Sequence, residues 1–253
     1  EDVSVSEPDD DFGEWILDDT VQVGTLFYSP HVYELDTFES VSGPLHYHYG
    51  MFKLEPRDEN DLVGQEHHCS AEICGMEIAE GQIIITELMM NPESVGLNSD
   101  NEWIEVYNTT SSSVNLNGTW LLDDAETKGK VRVDVVMASE TYAILGISNG
   151  STWNYPTIGV DAHWGSGMQL TNDGEQVHLM NEVGTIDSTP YFTSSKPDTS
   201  WSLDPASFDS TSNNNIGNWC YGQTAFGNSE DGWGTPNAEN EDCDPDTGGD
   251  SGL

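Results

Sequence analysis

ELMMNPESVGLNSDNEWIEVYN, residues 87–108, holds two β-rich runs parted by a break at Asn91-Pro92 and a polar insert. The second run, Glu102-Trp103-Ile104-Glu105-Val106-Tyr107, alternates with period two. That period places Trp103, Glu105 and Tyr107 on one face and Glu102, Ile104 and Val106 on the other. Both runs read as strands. The open question is the carboxylates inside them, Glu87, Glu102 and Glu105, which could be structural, metal-binding or catalytic.

Working outward, strand-like runs recur at Ile83–Leu88, Val114–Leu122, Val131–Val136, Tyr142–Leu145, Gln176–Met180, Gly184–Asp187 and Ser200–Leu203. Asn-Gly at 117–118 and 149–150 and Asn-Asp-Gly at 172–174 punctuate them. Short β-branched runs between such turns predict an all-β sandwich or barrel. Composition shifts near residue 80. Residues 1–80 carry 20 acidic residues, Lys53 and Arg57 as the only bases, and five of the seven histidines. We expect an acidic arm and a small β-rich module there, with short runs at 14–17, 21–23, 26–28 and 46–56. The body of the fold then spans 81–243, and an acidic Gly/Asp tail covers 244–253.

IIITELMMNP, NEWIEVYNTTSSSVNLNGTWLLDD, TYAILG, MQLTNDGEQVHLMNEVGTIDS, SWSLD, NWC and GTPNAEN follow one another in order over residues 82–240. Together they resemble the bacterial form of the lamin tail domain. The resemblance implies an immunoglobulin-like β-sandwich, with Trp103 and Trp120 as core aromatics and Asn117-Gly118 as a tight turn. It also implies a non-catalytic module. Two departures stand out. Gly118-Thr119-Trp120 is one residue longer than the family's Gly-Trp, which predicts a bulge. Asn237 replaces the last glycine of the family's closing GTPG, at a position where Asn can take the left-handed conformation.

Charge sets outer bounds on partners. The chain has 46 Asp plus Glu against 6 Lys plus Arg, a net charge of −40. Such a molecule repels nucleic acid and anionic lipid heads. No run approaches the ~18 apolar residues of a spanning helix. The chain starts at Glu1 without Met, a basic n-region or an apolar segment, which we read as a processed, secreted or cell-surface protein. Cys69, Cys74, Cys220 and Cys243 allow three pairings. Their positions favour Cys69–Cys74 and Cys220–Cys243, as expected of an oxidising compartment.

Two-carboxylate hydrolysis needs a pair about 5–9 Å apart across a substrate cleft, and nothing in the sequence supplies the cleft. We therefore expect Glu87 and Glu102 to accept hydrogen bonds from loop amides and to pin the 91–101 insert. The alternative is a Ca²⁺ site from the hard oxygen donors Asn98, Asp100, Asn101 and Glu102. A second candidate calcium loop spaces Asp242, Asp244 and Asp246 at alternate positions, without the bidentate Glu of an EF-type loop. His46, His48, His67 and His68, with Cys69, Met51, Cys74 and Met76 nearby, would suit zinc or copper. No nucleophile elbow, phosphate loop or dinucleotide fingerprint is present.

The expected function is that of a non-catalytic exported structural or interaction protein, a surface, matrix or filament assembly module, with calcium as its expected stabilising ion. Its partners would be other envelope or extracellular proteins, or further copies of itself. The rival readings are an accessory module of a calcium-dependent extracellular hydrolase and a metal carrier using the histidine-rich N-terminal part. Because like charges repel in the compact state and ions screen them, sodium chloride or millimolar calcium should raise the melting temperature. Melting curves that stay flat across both titrations would contradict this.

Overall fold

The computed structural model describes residues 2–7, 14–28, 30, 32, 36–48, 50–66, 78–96, 100–147, 153–165, 167–227 and 232–243. The chain divides into two compact units, Glu1–Glu72 and Ile73–Leu253. Among the described residues there is no α-helix, and no helix long and apolar enough to cross a membrane.

The first unit contains β1 (Val3–Glu7), β2 (Trp15–Leu17), β3 (Val21–Val23), β4 (Thr37–Phe38), β5 (Ser40–Val41), β6 (Leu45–His48), β7 (Met51–Leu54) and β8 (Leu62–Val63). Six of them form one sheet in the order β4-β1-β2-β3-β7-β6, and β5 pairs with β8. Among its described residues the core is Val5, Trp15, Leu17, Val23, Val32 and Phe38, with the Trp15 and Phe38 rings 5.5 Å apart. Asp18 and Asp19 both adopt positive φ, 47° and 56°, in the three-residue connection between β2 and β3, where the Thr20 amide donates to the Leu17 carbonyl. A primed turn of this kind matches strand twist, and Asp tolerates it better than most residues. Both bases are paired, Lys53 with Glu14 and Arg57 with Asp61.

Leu26–Tyr28, expected as a strand, is irregular. The Leu26 amide donates to the Glu55 carboxylate at 3.1 Å, so a side chain stands where a neighbouring strand would. The hairpin β6–β7 pairs Leu45 with Leu54 and Tyr47 with Phe52 on one face, and His46 with Lys53 and His48 with Met51 on the other.

The second unit contains β9 (Ile83–Met89), β10 (Trp103–Asn108), β11 (Val114–Asn115), β12 (Trp120–Asp123), β13 (Lys128–Lys130), β14 (Val136–Met137), β15 (Tyr142–Gly146) and β16 (Ala162–His163). It continues with β17 (Val177–Asn181), β18 (Gly184–Ser188), β19 (Trp201–Leu203), β20 (Trp219–Tyr221), β21 (Ala225–Phe226) and β22 (Gly232–Trp233). A six-stranded sheet, β16-β15-β10-β9-β19-β20, packs on a four-stranded one, β13-β12-β17-β18. Ile85, Leu88, Ile104, Val106 and Leu145 from the first meet Leu121, Val177, Leu179 and Ile186 from the second. The fold is thus an all-β, immunoglobulin-like sandwich.

The six-stranded sheet is buried on its other face too. There Met89, Trp103 and Ile144 pack with Tyr155 and Ile158, and Phe226 packs against them. This explains why every residue of β9 is buried. Trp103 is fully buried, but in this second cluster rather than between the sheets. Trp120 departs further from expectation. In β12 it is Leu121 and Asp123 that are buried, so Trp120 lies half-buried on the outer face, with the Lys128 ammonium 5.3 Å from its ring centre. The bulge expected at Gly118-Thr119-Trp120 is absorbed instead by a turn. The Thr119 amide donates to the Leu116 carbonyl, Gly118 has φ 89°, and β12 pairs in regular register from Trp120 onward. Cys220 and Cys243 form a disulfide with Cα atoms 5.5 Å apart. Cys69 and Cys74 lie outside the described residues.

Candidate functional site: buried carboxylates beneath a C-terminal strap

Glu87 and Glu105 face each other in the β9–β10 register, immediately before a bulge. Both are completely buried. Burying a carboxylate is expensive unless hydrogen bonds replace its water, and the partners here are specific. Glu87 Oε1 accepts from the Ser200 hydroxyl, from the Ser202 hydroxyl at 3.0 Å and from the Thr235 amide at 3.0 Å. Glu105 accepts from the Thr86 hydroxyl at 2.8 Å and from the Asn237 amide at 2.6 Å.

The two carboxylates therefore hold one segment, GTPNAEN at 234–240, against the outer face of the six-stranded sheet. Each remaining residue type has a reason. A Cβ on Gly234, whose φ is +155°, would lie 2.2 Å from Glu87 Oε1, so only glycine lets the chain come this close. Asn237 takes the left-handed conformation, φ 63°, as expected for the residue standing in for glycine. The buried Asn240 side chain donates to the Thr86 and Leu203 carbonyls at 2.8 and 2.9 Å, and accepts from the Thr235 hydroxyl at 2.7 Å.

Glu87 and Glu102 do accept hydrogen bonds from loop amides, but the described amides they take belong to other loops than the 91–101 insert. Glu87 points toward β19 and the strap, and Glu102 Oε2 accepts from the Leu170 amide at 2.7 Å. The insert is tied by other side chains: Asp198 accepts from the Ser94 amide at 2.7 Å, and Asn101 from the Asn154 amide at 2.8 Å. Nor do the acidic side chains only decorate the exterior. Asp187 of β18, which no sequence signal singled out, takes the Ile85 amide and the Asn213 side chain, both at 2.7 Å. Glu175 takes the Thr171 amide at 2.9 Å. An acidic residue among inward-facing strand positions, as in GTIDS at 184–188, was the available clue.

The candidate metal donors fare differently. Asp100 and Glu102 lie close enough for the Asp100 charge to be felt at Glu102, but Asn98, Asp244 and Asp246 lie outside the described residues, and Asp242 is exposed. The His46 and His48 rings stack 5.4 Å apart, as same-face strand residues, and His46 Nδ1 meets Glu55 at 3.1 Å. His67 and His68 lie outside the described residues. Among the described residues no three His, Cys, Asp or Glu side chains are grouped to hold a metal ion.

Burial, the leading cause in every case, raises the carboxyl pKa values. Glu87, Glu175 and Asp187 rise to about 7 and Glu102 to about 8. Glu105 rises well above its ordinary value through burial and the adjacent Glu87. The folded state thus retains protons that the unfolded chain, with ordinary values of 4.5 and 3.8, gives up. The sign follows from linkage: this stabilisation is complete below the unfolded values and is lost as pH climbs through 7 to 8. At fixed ionic strength the melting temperature should be higher near about pH 5 than near about pH 8.5, and Glu102→Gln should flatten the slope. A melting temperature that is the same or higher at the alkaline end would contradict it.

The lamin tail domain family matches residues 77–193. No curated protein matches the chain. The matched segment runs from just before β9 through β18, and both strap-holding carboxylates lie within it, while the strap they hold lies beyond. The family is a non-catalytic, immunoglobulin-like one. Residues 77–193 of this chain are thus similar to a lamin tail domain.

Proposed function

We propose that the protein is a non-catalytic, exported interaction module that works at a cell surface or in an extracellular matrix, with a lamin tail sandwich as its rigid part and calcium or salt offsetting its charge. The commitment of Glu87, Glu102 and Glu105 to backbone and hydroxyl donors supports a structural rather than catalytic use of the acids. The Cys220–Cys243 bridge is in keeping with an oxidising compartment.

The observation that carries the interaction reading is the β6–β7 hairpin of the first unit. Leu45 is 70% exposed, Tyr47 60% and Phe52 67%, and the three share a face. Among the described strands β6 pairs only with β7 and is the edge strand of its sheet. An exposed apolar face on an edge strand is the geometry of strand addition. Self-association through this edge must overcome the repulsion of two chains each carrying −40, so it should appear when that repulsion is screened.

Sedimentation should show the wild type associating as sodium chloride approaches about 1 M, where the Debye length falls to roughly 3 Å, or as millimolar calcium is added. The double variant Tyr47→Asp/Phe52→Asp should stay monomeric. A wild type that remains monomeric throughout, or a variant that associates equally, contradicts assembly by this edge. Calcium-dependent turnover of phosphoesters, peptides or glycans that Glu102→Gln abolishes would overturn the non-catalytic reading.

A further inference from the structure

At the other end of the face that carries Glu105, the sheet presents aromatic rings. Tyr107 and Tyr142 are direct partners in the β10–β15 register, with ring centres 4.8 Å apart. Phe208 stands 5.4 Å from Tyr107 and 6.5 Å from Tyr142, nearly perpendicular to the latter. All three are half-buried. With Thr109, Pro205, Glu140 and Glu239 they line an open recess of about 540 Å³. Among the described residues, two acids and no base line it.

Packing alone accounts for a cross-strand tyrosine pair. It does not account for a recess lined by three aromatic side chains and two exposed carboxylates, with no Lys, Arg or His among its lining residues. Ring quadrupoles attract a cation placed against their faces, and most strongly one that sheds its water easily. A hard ion such as calcium seeks six to eight oxygens instead, a set that these side chains do not provide. We propose that this recess binds an organic ammonium group, quaternary or alkylated, seated on Tyr107, Tyr142 and Phe208 and held in the field of Glu140 and Glu239.

Charge placement agrees. Burial first, then Glu140 and Glu239, raises the pKa of Tyr107, and burial followed by Glu105, Tyr107 and Glu239 does so for Tyr142. The phenols stay neutral while the negative field at the rings persists. Glu239 belongs to the strap, whose upstream residues Thr235 and Asn237 are fastened by Glu87 and Glu105. The buried carboxylates therefore position one wall of the recess.

The test uses the full chain and choline chloride, with 3,3-dimethylbutan-1-ol as the neutral probe of the same shape and sodium chloride at matched ionic strength as the control. Aromatic ring resonances of Tyr107 and Tyr142 report occupancy by NMR. Choline should shift them saturably, and neither control should. Tyr142→Leu should weaken choline by about two- to fivefold, the loss of one ring, and Glu239→Gln by about twofold. Equal binding of the neutral probe would reduce the recess to an apolar depression and overturn the proposal. So would shifts no larger than those of sodium chloride, or an affinity unchanged by the substitutions. Should Tyr142→Leu fail to fold, the exposed substitutions Glu140→Gln and Glu239→Gln decide the matter in the same way.

Discussion

A backbone amide that leaves a strand ladder inside a protein must find another acceptor. In the second unit those acceptors are repeatedly buried carboxylates. Glu87 and Glu105 take amides of the strap, Glu102 takes Leu170, Asp187 takes Ile85, and Glu175 takes Thr171. Apart from the local Glu175–Thr171 pairing, each joins segments that no regular hydrogen-bond ladder joins. The sandwich has short strands and long irregular connections, so side-chain acceptors fix what strand pairing leaves loose. Charge-assisted hydrogen bonds suit this task because they are shorter and stronger than neutral ones. The cost is desolvation, which the raised carboxyl pKa values register. Partial protonation near neutrality lowers that cost while one oxygen continues to accept.

The strap shows how far such a contact reaches. Glu87 and Thr235 are 148 residues apart, and Glu105 and Asn237 are 132 apart. Their bonds fold the C-terminal part of the chain over the outer face of the six-stranded sheet, and the Cys220–Cys243 bridge holds the same region from its end. The rigid unit is therefore longer than the matched family segment. Its outer face carries the buried Trp103 cluster, the carboxylate pair and the aromatic recess in sequence. Among the described residues of the first unit, by contrast, six buried hydrophobics form the core, and large apolar side chains of the β6–β7 hairpin are exposed.

Much of the sandwich was legible. Period-two alternation placed Ile104 and Val106 opposite Trp103 and Glu105, and the paired strands follow that assignment. The glycine-requiring turn at 117–118 and the left-handed Asn237 were likewise readable from residue type. Trp120 was misplaced because aromatic content alone does not tell which face of a strand a ring occupies. Leu121 and Asp123 claim the inner positions, and Lys128 covers the ring from outside. The carboxylates were harder still. A net charge of −40 favours reading any acid as solvated, and the partners that make Glu87, Glu105 and Asp187 internal lie from 19 to 148 residues away. Alternation marks which face a glutamate takes; it carries no sign of the amide that will meet it.

Amide hydrogen exchange at single residues tests the central claim most directly. Thr235, Asn237, Leu170 and Ile85 should all be protected in the wild type although their acceptors are side chains. In Glu105→Ala the Asn237 amide should lose its protection while Leu170, held by Glu102, and Ile85, held by Asp187, keep theirs. Rapid exchange of all four in the wild type, or an Asn237 amide equally protected after Glu105→Ala, would contradict the account.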